Sequence, residues 1–211
     1  MTFNTFMDSI ELSTGKRGWF VNNSKLSINQ KEVLDLIHHN KFSVIYKNRG
    51  DGVSTVLHLY IMWRIVESPG ISIALMSHPN SRDLCRQNMC RNLKTLKINS
   101  VVDNVNKTIF DNDSRVSYFS GQSPDSLWGH SVNIIIFDDL PTDYQERFLE
   151  DSILVRAAAA VRNSKIIIST SEPSFKNTID NSVFKFQEIY GSFFNGKRQV
   201  LVEKISVNKQ S

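Results

Sequence analysis

The 211-residue sequence is poor in cysteine, with only Cys85 and Cys90. Five positions apart in a stretch that reads as helix, they face different directions and do not bridge, so nothing calls for an oxidising compartment. Long apolar runs are also missing: the longest are about four to six residues, far short of the ~20 that a bilayer span takes. The opening MTFNTFMDSIELSTG lacks the basic start and apolar middle of a secretory signal. The expectation is an intracellular protein with no membrane segment. Nine glycines and five prolines exclude collagenous and low-complexity chains. With 40% hydrophobic and 22% charged residues, the composition is that of one globular domain, long enough to bury a substantial core.

The net charge of +4 is unevenly spread. Residues 1–100 carry 13 Lys and Arg against 7 Asp and Glu, residues 101–150 carry 3 against 9, and residues 151–211 carry 9 against 5. An acidic middle between basic flanks suits a metal or phosphate site in a protein that meets a polyanion. Scattered solvated charge gives the same counts.

Short β-rich runs alternate with longer helical stretches, which predicts an α/β fold with a mainly parallel central sheet flanked by helices. Strands are expected at 42–47, 71–76, 115–119, 132–137 and 165–169, the last two with isoleucine-rich cores that read as buried central strands. Helices are expected at 30–39, 54–67, 81–96 and 144–161. The helix from Ser54 is apolar almost all round and should be packed on several sides. Residues 98–114 read as a loop with one short strand.

The segment FSVIYKNRGDGVSTVLHLYIMW has the strand, glycine loop and helix of a P-loop. Glycines let backbone N–H groups turn toward a phosphate, and the helix N-terminus adds a favourable dipole. The full pattern is G-x-x-x-x-G-K-[ST], with a lysine on the β- and γ-phosphates. Here Val53 stands at the lysine position before Ser54, and Asp51 adds a negative charge inside the loop. Lys47 or Arg49 could supply the cation instead. An ordinary tight βα-turn accounts for the same residues.

Downstream, the apolar run Val132–Phe137 ends in Asp138-Asp139, the form of a Walker B strand. The first carboxylate of such a pair holds Mg²⁺ and the second orients or deprotonates the attacking water. Asp139 is one methylene shorter than the usual glutamate, which leaves its carboxylate roughly 1.5 Å short of the same point. Paired aspartates also form turns and helix caps, as Leu140-Pro141-Thr142-Asp143 would allow. A third run, Lys165 to Ile168, ends in the hydroxyl residues Ser169-Thr170-Ser171, which could sense a terminal phosphate.

In this order, the pieces from Leu26 to Pro173 resemble the ATPase domain of the large terminase subunit, the motor that packages DNA in tailed phages and herpesviruses. Leu26 to Gln30 resembles the segment whose glutamine recognises adenine. Lys47 to Thr55 is similar to the arginine-started Walker A, with Arg49 at the arginine. Ile73 to His78, with the helix that follows, is similar to the next strand and helix. Phe119 to Ser131 resembles the serine-rich stretch before Walker B, and Ser169-Thr170 resembles the coupling motif. Three positions depart from the pattern: Val53 for lysine, Trp128 for the arginine before Gly129, and Asp139 for glutamate. A complete large terminase continues into a nuclease, for which about 38 residues after Pro173 leave no room.

The resemblance implies three segments: an N-terminal extension at 1–25, an ATPase-fold domain at 26–175, and an appendage at 176–211. It implies ATP and Mg²⁺ as cofactors. Gln30, Lys47, Arg49, Gly50, Gly52, Ser54 and Thr55 are expected at the nucleotide, Ser54 and Asp138 at the metal, Asp138, Asp139 and Arg49 in catalysis, and Ser169 and Thr170 in coupling. It further implies double-stranded DNA, a portal protein or a small terminase as partners, and the host cytoplasm as the location of a viral protein. Arg82, Arg86, Arg91, Lys94 and Lys97 fall in one expected helix beside an apolar side of Leu84, Cys85, Met89, Leu93 and Leu96. That basic face could follow a DNA backbone; a solvated helix face explains it equally simply. The departures weaken phosphate binding, charge stabilisation and water activation while sparing the core. The first expectation is therefore a DNA-binding or regulatory relative with weakened or lost hydrolysis. Two alternatives stay open: an active packaging ATPase with a variant Walker A, and a non-catalytic structural protein. The five dispersed histidines form no zinc pattern.

Overall fold

The computed structural model describes residues 2–9, 26, 28–47, 51–119, 132–139 and 165–171. The two isoleucine-rich runs form the middle of its sheet. β6 (Ile134–Asp138) and β7 (Lys165–Thr170) pair in parallel, with β6 buried throughout and β7 buried from Ile166 onward. Burial on both faces is what a continuous apolar run dictates. β1 (Phe42–Tyr46) pairs with β7, and β2 (Ser72–Ser77) with β6, both in parallel. β5 (Arg115–Phe119) continues beyond β2, also in parallel. The expected α/β architecture, a mainly parallel sheet with helices packed on it, is therefore present.

The expectation for residues 98–114 is corrected. They form two strands, β3 (Ser100–Asp103) and β4 (Lys107–Phe110), an antiparallel hairpin that adds to β5. The turn is made by Asn104, whose Oδ1 accepts from the backbone N–H groups of Asn106 and Lys107 at 2.9 and 3.0 Å. Its polar residues masked a strand that buries only Thr108 and Phe110. The described sheet runs β1-β7-β6-β2-β5-β4-β3.

α3 (Val53–Glu67) connects β1 to β2 and packs against both α2 (Ile28–His39) and α4 (Pro79–Thr95). It buries residues from Val56 to Trp63 without a break, as its all-round apolar sequence requires. α4 starts earlier than expected because His78 caps it, accepting from Asn80 N at 3.3 Å, and Pro79 occupies the first turn. Leu84 is 47% exposed rather than part of the apolar side; Asn88 and Asn92 take buried places with Cys85, Met89 and Leu93. Lys97 lies beyond the helix, in the left-handed region at φ 62, where Ile98 N–H closes back on Leu93 O.

Residues from the N-terminal segment also enter the core. α1 (Phe3–Ser9) buries Phe6 completely and sets Phe3 edge-on to Trp63, with ring centres 5.3 Å apart. At the far end of the sheet, the Lys165 ammonium donates to the carbonyls of Ile37, His38 and Asn40 at 2.6 to 2.7 Å. It closes the C-terminus of α2, whose last carbonyls have no partner in the helix. Burial, with Arg64 nearby, pushes its pKa down to about 8. The expected helix at 144–161 and the appendage at 176–211 lie outside the described residues.

Candidate functional site

Parallel pairing lines up the C-terminal ends of four strands on one edge. The register places Ser77 beside Asp138, Asp138 beside Ser169, and Tyr46 beside Thr170. The loop after β1 and the twin aspartates after β6 thus face each other across β7. In open α/β sheets this carboxyl edge is where ligands bind.

Asp138 is 1% exposed, and its carboxylate is held by hydrogen bonds. Its Oδ1 accepts from Lys47 Nζ at 2.9 Å, Ser54 Oγ at 3.0 Å and Ser169 Oγ at 2.8 Å, while Oδ2 accepts from Ser81 Oγ at 3.3 Å. Lys47 Nζ also lies 3.0 Å from Ser54 Oγ. Four segments of the chain meet on one carboxylate. Burial by itself would raise the Asp138 pKa, but the Lys47 ammonium and the donors from Lys47 and Ser169 hold it below the usual carboxylate value. The Lys47 backbone N–H donates to Thr170 O at 2.9 Å, so the lysine is anchored to the sheet at its base.

Asp139 is placed by its backbone. Along a strand, successive side chains point to opposite faces. At φ 58 Asp139 leaves that alternation, and its Oδ2 comes within 3.8 Å of the same Lys47 ammonium. Its Oδ1 accepts from Ser171 Oγ at 2.9 Å and Ser171 N at 3.3 Å, and its own N–H donates to Ser169 O at 3.0 Å.

The glycine loop shows why Val53 cannot do a lysine's work: it is 3% exposed and belongs to the core. Before it, Gly52 caps α3 at φ 75, and the Gln30 side-chain amide lies against it so closely that a Cβ would collide. Gln30 is therefore beside Gly52 at the start of α3. Thr55 is half-buried in the first turn of α3. Arg49 and Gly50 lie outside the described residues, as do Trp128, Gly129 and His130.

Beneath Asp138 sit two groups the sequence reading left out of the site. His58, one turn after Ser54 on α3, is 4% exposed with Nε2 unpartnered. Burial pushes its imidazole down to about 4, against the pull of Asp138. Cys85 is fully buried, and burial with the nearby Asp138 charge pushes its thiol well up. Both cysteines are free. Ser81 was also missed as a site residue, and Ser171 is expected from the sequence only as a phosphate sensor in the hydroxyl run, not as a partner of Asp139. The signal for His58 is its i+4 spacing from Ser54; for Ser171 it is the third place in the hydroxyl run; Ser81 had none beyond lying in the turn after β2.

Of the basic set on α4, Arg91, Lys94 and Lys97 are exposed and Arg82 is half-buried. Arg86 is paired with Asp103 on β3 at 2.9 Å, so it braces the hairpin. Among the described residues, no group of three or more His, Cys, Asp or Glu side chains could hold a metal by itself. Ser54 Oγ and Asp138 Oδ1 are oxygen ligands of the kind Mg²⁺ takes, with phosphate and water completing its shell, but the Lys47 ammonium lies within 3.0 Å of both, so the ion would have to displace it. No described helix is long and apolar enough to cross a membrane.

Solved structures share this fold. The HK97 bacteriophage large terminase matches with a TM-score of 0.59 at 15% identity, over 88% of this chain and 42% of that one. The fold is that of a terminase ATPase domain. A variant of the Thermus phage P74-26 large terminase ATPase domain matches at TM-score 0.52 and 14% identity, over 69% of this chain and 65% of that one. The N-terminal domain of the DNA packaging ATPase from bacteriophage phi29 matches at 0.51 and 17%, over 75% of this chain and 88% of that one. This chain thus spans about two-fifths of the HK97 terminase and slightly under two-thirds of the P74-26 domain. No family model and no curated protein matches the terminase-like chain by sequence.

Proposed function

We propose that this chain is the ATPase module of a viral DNA-packaging machine, working with a variant P-loop in which Lys47 stands in for the lysine that Val53 replaces. The observation that carries the reading is the Lys47 ammonium, 3.0 Å from Ser54 Oγ and 2.9 Å from Asp138 Oδ1. A cation reaches the phosphate-facing end of α3 from the strand side of the loop. Gln30 against Gly52 supports an adenine site at the adjoining position.

In this reading the phosphates of ATP lie over the N-terminus of α3, where backbone N–H groups and the Lys47 charge neutralise them. Ser54 and Asp138 hold Mg²⁺, which when bound supplies charge stabilisation to the β- and γ-phosphates. Asp139 takes the proton of the attacking water as the water oxygen bonds to the terminal phosphorus and the bond to the departing diphosphate breaks. Ser169 and Thr170 sense the change at the end of β7. Arg49 is proposed as a second cation of the loop and Gly50 as part of its turn. The exposed Arg91, Lys94 and Lys97 face double-stranded DNA, and a portal protein or small terminase completes the machine in the host cytoplasm.

The shortness of Asp139 favours a second reading, a DNA-binding or regulatory module with slow turnover, since a base misplaced by about 1 Å costs on the order of a hundredfold. One assay separates them: phosphate release from Mg-ATP, with and without duplex DNA, in the wild type and in Asp138→Ala. Release that disappears in the variant supports the active module. Mg-ATP binding without release supports the second reading. Absence of both binding and release overturns the proposal.

A further inference from the structure

Beside the Ser169–Asp138 hydrogen bond, Asp139 and Ser171 form a second side-chain link between the end of β6 and the end of β7. Ser171 directs both its O–H and its N–H to one oxygen, Asp139 Oδ1, at 2.9 and 3.3 Å. Among the described residues, the other oxygen, Oδ2, has no such donor; it lies 3.8 Å from Lys47, on a side chain that is 40% exposed. The backbone of Asp139 is held in a conformation that L-residues rarely adopt, at φ 58, with its N–H tied to Ser169 O. Such conformations cost of order 1–3 kcal/mol and persist only where neighbours fix them. Here three hydrogen bonds, all to residues 169 and 171, do so.

We infer that Ser171 is a positioning residue for Asp139. By occupying Oδ1 with two donors it fixes the carboxylate plane and leaves Oδ2 as the oxygen open to the water. This offsets the missing methylene: a shorter acid works if its carboxylate is locked in one orientation instead of sampling several. In this role Ser171 acts through Asp139, the group its O–H and N–H both engage. The inference rests on the reading of Asp139 as the base of an active ATPase.

The test uses the full chain and three variants, Ser171→Ala, Ser171→Thr and Asp139→Ala. Ser171→Ala is expected to lower kcat for ATP hydrolysis about tenfold or more, with KM and Mg-ATP affinity within twofold of wild type. Ser171→Thr keeps the hydroxyl and is expected to recover most of the rate. A kcat unchanged in Ser171→Ala, a parallel loss of nucleotide affinity, or no recovery in Ser171→Thr overturns the inference. A second readout needs no turnover. In urea unfolding, the midpoint shift of the Ser171→Ala, Asp139→Ala double variant is expected to be smaller than the sum of the two single shifts. Additive shifts remove the clamp and leave the wider reading of the site standing. A wild type that binds Mg-ATP and never hydrolyses it removes Asp139 as base, and the catalytic part of this inference with it.

Discussion

The Lys47 ammonium and the Asp138 carboxylate lie 2.9 Å apart, with side chains only 7% and 1% exposed, although 91 positions separate them in the chain. A buried charge is tolerated only when paired and hydrogen-bonded. Each of these two is the other's main partner, and three serine hydroxyls complete the shell of Asp138. The end of β1, the start of α3 and the twin-aspartate edge are thus held together.

Removing the cation should therefore damage both stability and binding. Lys47→Met leaves Asp138 buried without its countercharge, and unfolding in urea is expected to require about 3 kcal/mol less free energy. Mg-ATP affinity should fall at least tenfold by calorimetry. Adding Val53→Lys should not restore it, because position 53 points into the core. Recovery of binding in the double variant would show that the ordinary lysine position still reaches the phosphates.

Acid should destabilise the protein through His58. Its folded pKa is lowered to about 4, so between there and the unfolded value near 6.5 the unfolded chain binds the extra proton. Stability is then full above pH 6.5 and falls as pH drops toward 4, by roughly 1.4 kcal/mol per pH unit. Denaturant titrations of wild type and His58→Leu should diverge in slope across that window. Asp138, with its pKa depressed, acts lower: its stabilisation is present above the unfolded carboxylate value, about 3.9, and is lost only as pH falls through its own lower pKa.

Gly52 should not accept a side chain. An added Cβ meets the Gln30 amide and forces an L-residue to φ 75. Gly52→Ala is expected to cost about 1–2 kcal/mol and to displace Gln30, weakening ATP more than inorganic phosphate. Equal loss for both ligands would place Gln30 outside the adenine site.

On α4 the prediction concerns salt dependence. Replacing Arg91, Lys94 and Lys97 by glutamine should weaken duplex DNA binding and flatten the slope of log affinity against log salt by about one unit per residue. Arg86→Gln should instead act on the hairpin, through Asp103, with little change in that slope. Unchanged slopes in all of them would leave α4 as a solvated face.

All five strands expected from the sequence lie in the sheet; the two central ones are marked by the near-continuous apolar runs Ile134–Phe137 and Ile166–Ile168 that strands buried on both faces carry. The β3–β4 hairpin escaped notice because its turn is made by the side-chain oxygen of Asn104 and its edge strand buries little, so no alternation marks it. Leu84 was misplaced for a related reason: the helix period fixes faces only to within a residue or two, and Asn88 and Asn92 occupy the buried stripe.

Local sequence thus determined the central strands, the helices α2 to α4, their order and the end of the sheet on which the site residues gather, since apolar periodicity and glycine placement act over a few residues. Which cation serves the loop, which face Asp139 presents and what holds it there were decided by the tertiary structure alone. Those answers depend on a lysine before the loop, a positive φ after β6 and a serine after β7 meeting within about 4 Å, and contacts between positions so far apart leave no mark in the spacing of residues along a single chain.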